Sequence, residues 1–417
     1  MKKYLFTFLT FFSINALFLC NCYTQLNTKL SLEKAINMSY QHNPNLKALK
    51  YSTQASKENE KVAISGYLPN VNLSETPYIT SGVKGIHNRI GLRASQLVFS
   101  FAGPLQERGI ARKQTDVSRL TEEEKKDYLR YNVEASFLQS WLLQRKNKFI
   151  QNLNLSANQN VKKSEHSNQL NLLDRNVWLQ DEATYAANMA SVYLYPDDIS
   201  NAQSQLEFFI GKKFNDKKET ITLIWDSKQE IKLENLQSYY QKAYKNRKDI
   251  KKKQKEIEEK KATEYLYQKG NAPELRVVGE YSKIGRSTES NTVGAYFSWN
   301  IFDGTKKHHE QHRAHAQMLK AMEEKEAAMQ QTRYDVQKTY NDLSILLKQL
   351  FAQDVQVTQA KNDFILNKQK YEIGDISKVD FDQSKYNWEN QKYTWLTLKI
   401  QTAIKERELQ YSCGYPE

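Results

Sequence analysis

What most constrains this chain is that it repeats itself. Leu32 and Leu236, Leu46 and Ile250, and Pro69 and Pro273 each stand 204 residues apart. Phe99 and Phe302 stand 203 apart, Asp174 and Asp380 206, and Gly211 and Gly414 203. Register held over so many landmarks implies two tandem copies of one supersecondary unit. The expected division is a first repeat over residues 25–211, a linker over 212–235 and a second repeat over 236–417.

Both copies read alike. A helix is expected over residues 31–66 and again over 235–270. Pro69 and Pro273 then introduce a pair of strands, at about 68–100 and about 273–303; proline is tolerated where a strand begins. Val293, Ala295, Phe297, Trp299 and Ile301 alternate with Gly294, Tyr296, Ser298 and Asn300. In copy one Ile90, Leu92, Ala94 and Val98 alternate with Arg89, Gly91, Arg93 and Ser95. Such alternation gives one apolar and one polar face. It fits a half-buried soluble sheet, and also a barrel with lipid outside and water inside.

Beyond each strand pair the breakers vanish. Residues 110–195, 305–373 and 375–413 contain neither glycine nor proline. Val336, Tyr340, Leu343, Leu347, Leu350 and Val357 follow heptad spacing, which suits helices packed side by side as in a coiled coil. As one helix, residues 305–373 would reach roughly 100 Å, far longer than a compact core needs.

Lys2 and Lys3 precede an apolar run over residues 5–19. This reads as a secretory signal peptide, residues 1–24, and is too short for a spanning helix of about 20 residues. Any membrane crossing must then be a closed β-barrel, because open edges in lipid leave backbone groups unpaired. Two strands per repeat cannot enclose a lumen, and a barrel of about eight strands is filled by its own side chains. A conduit therefore needs at least three protomers, and three would give a shared barrel of twelve strands. The fold class is therefore mainly α with a small transmembrane β part: a duplicated helix–strand–strand–helix unit and a long helical barrel.

The net charge of +13 raises the question of nucleic acid. Yet the lysines mix with glutamates, as between Lys252 and Lys261, which reads as a solvated helix face rather than a nucleic-acid site. Cys20, Cys22 and Cys413 form no disulfide framework and no zinc pattern. Leu19 stands before Cys20 where a lipoprotein signal carries a small residue, so plain cleavage is favoured over lipidation of Cys20 or Cys22. His308, His312 and His315 share a helix face at i, i+4 and i+7, with His309 beside them. That spacing could bind zinc or copper, but without a fixed set of ligands a polar, solvated helix start is the simpler reading. No phosphate loop, nucleophile elbow or Cys/His pair is present in the sequence, so an enzyme is not expected, nor a cofactor.

With this layout the chain resembles the TolC-type outer-membrane efflux proteins over nearly its whole mature length. The resemblance rests on the Leu68-Pro69 strand start, the strand ends Val98-Phe99 and Ile301-Phe302-Asp303-Gly304, and the segment from Tyr371 through Gly374 to Asp380. It implies a homotrimeric duct in the outer membrane with a periplasmic helical tunnel, exporting small molecules or proteins. It also implies docking to a periplasmic adaptor that joins the duct to an inner-membrane pump or secretion ATPase. The segment around Gly374 resembles the turn at the periplasmic tip. Gly374 should take φ > 0 there, with Asn168 as its permissive counterpart in copy one. Acidic residues just past this turn line the family's constriction, which implies roles for Asp380 and, in copy one, Asp174. Gln383 stands where a second acid is usual, with Asp382 beside it. The alternatives are a solvated or capping Asp380, and for the whole chain a periplasmic coiled-coil adaptor or a structural surface protein. Both of these fit the duplicated strand-bearing unit less well.

Overall fold

The structure, a computed structural model, describes residues 29–79, 87–170, 174–214, 222–225, 231–269, 272–284 and 288–415. The expected signal peptide, with Cys20 and Cys22, lies outside the described residues. The chain runs β1 (Lys29–Ser31), α1 (Leu32–His42), α2 (Pro44–Ser65), β2 (Asn70–Tyr78), β3 (His87–Ser100), α3 (Pro104–Gln169) and α4 (Arg175–Ile210). The same order then recurs as β4 (Thr222–Ile224), α5 (Leu236–Asn246), α6 (Lys248–Gln268), β5 (Glu274–Ile284), β6 (Thr288–Ser298), α7 (Lys306–Glu372) and α8 (Lys378–Ser412). The last strand stops at Ser298, short of the expected Gly304, and residues 299–303 carry the chain into α7 as irregular backbone.

The single helix expected at the start of each repeat is broken in two. Pro44 disfavours helical backbone at Asn43, which sits at φ −61°, ψ 121° and caps α2 through Asn45 and Leu46 N–H. Copy two has no proline, yet Arg247 takes φ −59°, ψ 125°. A tertiary contact that recurs in both copies accounts for this. Asn43 Nδ2 donates to the Phe209 carbonyl at 2.9 Å, and Arg247 donates to the Ser412 carbonyl at 3.3 Å. The left-handed glycine ending each repeat, Gly211 or Gly414, lies against the break.

Sheet and helices share one order. The main sheet runs β2-β3-β5-β6, antiparallel throughout. Each strand continues into a helix, and the helices next to the sheet pack as α2-α3-α6-α7. At 66 and 67 residues, α3 and α7 run on past the waist and pack with α4 and α8 in the order α4-α3-α8-α7. Short α1 rests on α3 and α4, and α5 on α7. The buried core sits here: Leu30 of β1 and Leu223 of β4 meet Phe137, Trp141, Ile210 and Ile400. A smaller core joins Tyr240 and Ala243 of α5 to Val336, Leu343 and Leu409.

The heptad seam of α7 holds, with Val336 and Leu343 fully buried. Its unread position between Leu350 and Val357 is Gln353, buried and bonded to Gln391 Oε1 at 2.7 Å across to α8. The Lys252–Lys261 run is not a solvated face. Lys252 pairs with Glu124 of α3, Lys253 with Glu324 of α7 at 2.8 Å, and Glu258 with Lys113 of α3. An exposed pair contributes about 0.2–1 kcal/mol; here a run of them ties α6 to both neighbours and joins the two repeats.

Candidate functional site

The sheet is two-faced, and the pairing register shows how. Val71, Leu73, Ile90, Leu92 and Ala94 share a face with Leu275, Val277, Val293, Ala295 and Phe297. The opposite face carries Asn72, Ser74, Arg89, Arg93, Arg276, Glu280 and Thr292, with Arg93 directly across from Glu280. A bulge between Leu97 and Phe99 corrects the expected alternation. Val98 is the extra residue, and Phe99 rather than Val98 joins the apolar face opposite Leu275. That face has no cover among the described residues: Val293 is 83% exposed, Leu73 76% and Phe297 67%. At the helix end of that face Phe99 and Phe101 meet edge to face at 4.6 Å, and Trp299 and Phe302, just past the end of β6, are exposed. Toward the strand-linking turns the face becomes polar, with Lys283 and Glu289 paired at 2.6 Å. No described helix is long and apolar enough to cross a membrane.

The far end of the long helices carries the other predicted residues. Gly374 has φ +79°, as expected, and its N–H donates to the Tyr371 carbonyl at 3.1 Å. Asn168 differs. It lies in the last turn of α3, and among the described residues Thr305 is the non-glycine with positive φ. Ser377 caps α8, accepting from Asp380 N–H at 3.2 Å and meeting Asp380 Oδ2 at 2.7 Å. Asp174 itself caps α4, accepting from Asn176 N–H at 2.9 Å. Helix caps therefore align Asp174 with Ser377, not with Asp380. Asp and Ser both serve at a cap, so the pairing by residue identity slipped by a turn; Val177 and Gln180 are the true counterparts of Asp380 and Gln383. Asp380 and Gln383 are exposed, on one face of α8 at i, i+3. Asp382 faces away and pairs with Lys378 at 3.3 Å, which also reaches Asn160 of α3 at 3.2 Å.

Sequence reasoning passed over two features. One is an aromatic stack at the tip, Tyr371–Phe381–Phe364–Trp388, with ring centroids 5.0 to 5.8 Å apart. Its signal was the spacing of seven along each helix. The other is a charged groove of about 850 Å³ beside the waist, lined by Tyr40, Glu123, Asp127, Lys248 and Tyr415 among others. Burial pushes Asp127 up to about 6, against the pull of Lys248 and Arg130. Nearby, Tyr415 donates to the buried Glu134 at 3.1 Å, and burial pushes its hydroxyl well up.

The raised Asp127 value has a stability consequence. Its folded value lies above the ordinary 3.8, so its contribution is complete below about 3.8 and is lost as pH rises through about 6. The ionised form carries a cost of about 3 kcal/mol on this scale, discounted to about 1 kcal/mol because the carboxyl keeps contact with water. Asp127→Asn is expected to unfold later than wild type at pH 8, with the advantage fading by pH 5. Melting curves in detergent at the two pH values check the sign.

The candidate histidine trio is not brought together. His308 Nε2 and His312 Nε2 lie 3.2 Å apart, while His315 Nδ1 contacts Glu264 of α6 at 2.9 Å. Among the described residues no three His, Cys, Asp or Glu side chains gather as metal ligands.

Residues 239–414 match the family model described as outer membrane efflux protein. No curated protein matches the sequence. Solved structures match the fold over most of the chain. CusC, from a study of folding and transmembrane channel formation, aligns with a TM-score of 0.75 at 14% identity, covering 92% of each chain. The CmeC outer membrane channel of Campylobacter jejuni aligns at 0.75 and 13%, covering 92% of this chain and 85% of CmeC. The open state of the Neisseria gonorrhoeae MtrE outer membrane channel aligns at 0.73 and 13%, covering 92% and 88%. At such identities the likeness is one of fold.

Proposed function

We propose that the chain is one protomer of a homotrimeric export duct, a reading supported by the match of residues 239–414 to the outer membrane efflux protein model and by the fold likeness to outer-membrane channels over 92% of the chain. The observation that carries this is the pair of matching open edges. Among the described residues β2 and β6 each pair on one side only, and α2 and α7, their neighbours in the chain, make no extended contact with each other. Unpaired edges in lipid cost several kcal/mol per backbone group. A second copy offering its β2 to β6 and its α2 to α7 satisfies both at once. Exposed Tyr334, Ile345, Val355 and Leu366, spaced by ten or eleven residues along α7, form the stripe a neighbour would cover. Three copies give twelve strands and leave a lumen, where two would be filled.

In this reading the apolar face meets lipid and the arginine-bearing face lines the pore. Phe99, Phe101, Trp299 and Phe302 form the aromatic girdle at the inner boundary. The helices form the periplasmic tunnel, and their tips around Gly374 and Asn168 meet a periplasmic adaptor linked to an inner-membrane pump or secretion ATPase. Each repeat, 25–211 and 236–417, supplies half of the protomer's wall, with 212–235 as the link between them. Export, of small molecules or proteins, is then passage along this tube; nothing in its wall performs chemistry on the cargo.

Asp380 is the constriction residue of this reading. Three copies around the axis make a ring that favours cations, with Gln383 one turn deeper and uncharged. Asp174, as a cap with Val177 in the matching place, adds no second ring. In mild detergent the mature chain should have the mass of a trimer by light scattering; a monomer that stays soluble without detergent overturns the duct. Asp380→Ala leaves the Ser377 cap in place, so its effect on conductance reads the ring. It should raise closed-state conductance in bilayers and reduce cation preference. No change in either would reduce Asp380 to a capping carboxylate.

A further inference from the structure

We propose that His308 and His312 form a two-imidazole chelate for a divalent transition cation, with Cu²⁺ preferred over Ni²⁺ and Zn²⁺. The residues are one helical turn apart on the first two turns of α7, and both are exposed. Their Nε2 atoms lie 3.2 Å apart, and the rings stand at 77° with centroids 4.4 Å apart. Two nitrogens bound cis to one metal at about 2.0–2.1 Å each are separated by about 2.9–3.4 Å. The two rings therefore already hold a chelating separation. α7 fixes it: at i, i+4 the side chains rise from one face, and 64 further helical residues anchor the backbone behind His308.

Free of metal, one Nε2 carries a hydrogen that it donates to the other. A cation bound to both nitrogens at about 2.0–2.1 Å sits about 1.3 Å off the line that joins them, so chelation needs both rings neutral, both hydrogens on Nδ1 and a tilt of the rings toward the metal. The remaining positions fall to water. His309, whose ring lies 5.5 Å from that of His308, is one residue round the helix and does not share the face. His315 is held by Glu264 at 2.9 Å and stays out of the chelate. A site of two imidazoles with open positions suits the tetragonal preference of Cu²⁺, which also heads the affinity order; Zn²⁺, which favours four closed ligands, binds more weakly. Lys306, Lys307 and the positive end of α7 oppose any cation. This limits affinity without altering the selectivity order. The site stands on side-chain geometry and does not depend on the duct reading.

The test uses the mature chain in detergent, without a histidine tag and stripped with EDTA. Copper is titrated by calorimetry and followed by electron paramagnetic resonance, and zinc is titrated in parallel. The expected result is one Cu²⁺ per chain with nitrogen couplings from two imidazoles. His308→Gln or His312→Gln should each weaken copper binding by at least about tenfold, since even losing an outer-shell partner of a metal ligand costs that much. His309→Gln and His315→Gln should leave it unchanged. Equal melting temperatures of all variants in EDTA exclude a folding defect in these exposed positions. Absent copper binding, unchanged affinity in His312→Gln, or an equal loss in His309→Gln would overturn the chelate, as would zinc binding more tightly than copper.

Discussion

Gly211→Ala is expected to prevent the waist from closing, with little folded protein recovered. Gly211 ends α4 at φ +77°, its N–H donating to the Glu207 carbonyl at 2.8 Å. A Cβ there would stand 2.6 Å from Asn43 Cα and 2.9 Å from Asn43 N and His42 C. These are backbone atoms of the break between α1 and α2, and they cannot swing aside as a side chain would. Left-handed backbone costs an alanine about 1–2 kcal/mol. The overlap adds more, because relieving it must push α1 off the core that buries Leu30, Ala35 and Ile210. The combined loss should exceed about 4 kcal/mol, the range reserved for such named defects. Gly414→Ala repeats the experiment in copy two, where a Cβ would meet Arg247 N at 2.8 Å and Asn246 C at 2.9 Å. Gly304 supplies the control: it has φ +71° but nothing within 4 Å of a built Cβ. Gly304→Ala therefore pays the strain alone and should still fold. Melting temperatures in detergent compare the three. If Gly211→Ala melts with Gly304→Ala, the close approach at the waist is not what holds it.

The same contact shows where sequence reasoning reached its limit. The break at Asn43 could be suspected from Pro44, a local signal. The break at Arg247 had none, because its cause is Gly414, 167 residues away in the chain. Features with a local cause were legible: the duplication, the length of α3 and α7, the alternation in β6, and the turn at Gly374. Those depending on a second element were not. The bulge that turns Phe99 onto the apolar face is set by pairing with β5. The Lys/Glu run of α6 looked solvated because its partners Glu124, Lys113 and Glu324 lie on other helices. His315 was grouped with His308 and His312 by spacing, and Glu264 of α6 separates it. Asp174 was matched with Asp380 by identity, whereas the shared physical role at the start of each helix, capping, belongs to Asp174 and Ser377.

The sheet allows the sharpest test of which solvent each face meets, because neighbouring residues should respond in opposite ways. Val293 lies on the apolar face opposite Gly279, and Thr292 on the polar face opposite Glu280. In the proposed duct, Val293→Arg would place a guanidinium in lipid at a cost of about 2–4 kcal/mol near the membrane midplane. Every protomer of a shared barrel carries the change, so a trimer bears on the order of 6–12 kcal/mol, comparable to the whole stability of an ordinary domain. Little assembled protein should reach the outer-membrane fraction. Thr292→Arg adds the same charge one residue away, with Glu280 beside it and water in front. It should assemble as wild type does, and its channel should shift in preference toward anions as positive charge is added to the pore wall. The two variants add the same side chain at adjacent positions of the strand, so a general intolerance of arginine in β6 would make them fail together. Joint failure, or the reverse pattern with Thr292→Arg lost and Val293→Arg assembled, would overturn the assignment of the apolar face to lipid. The open edges at β2 and β6 would then need a different partner.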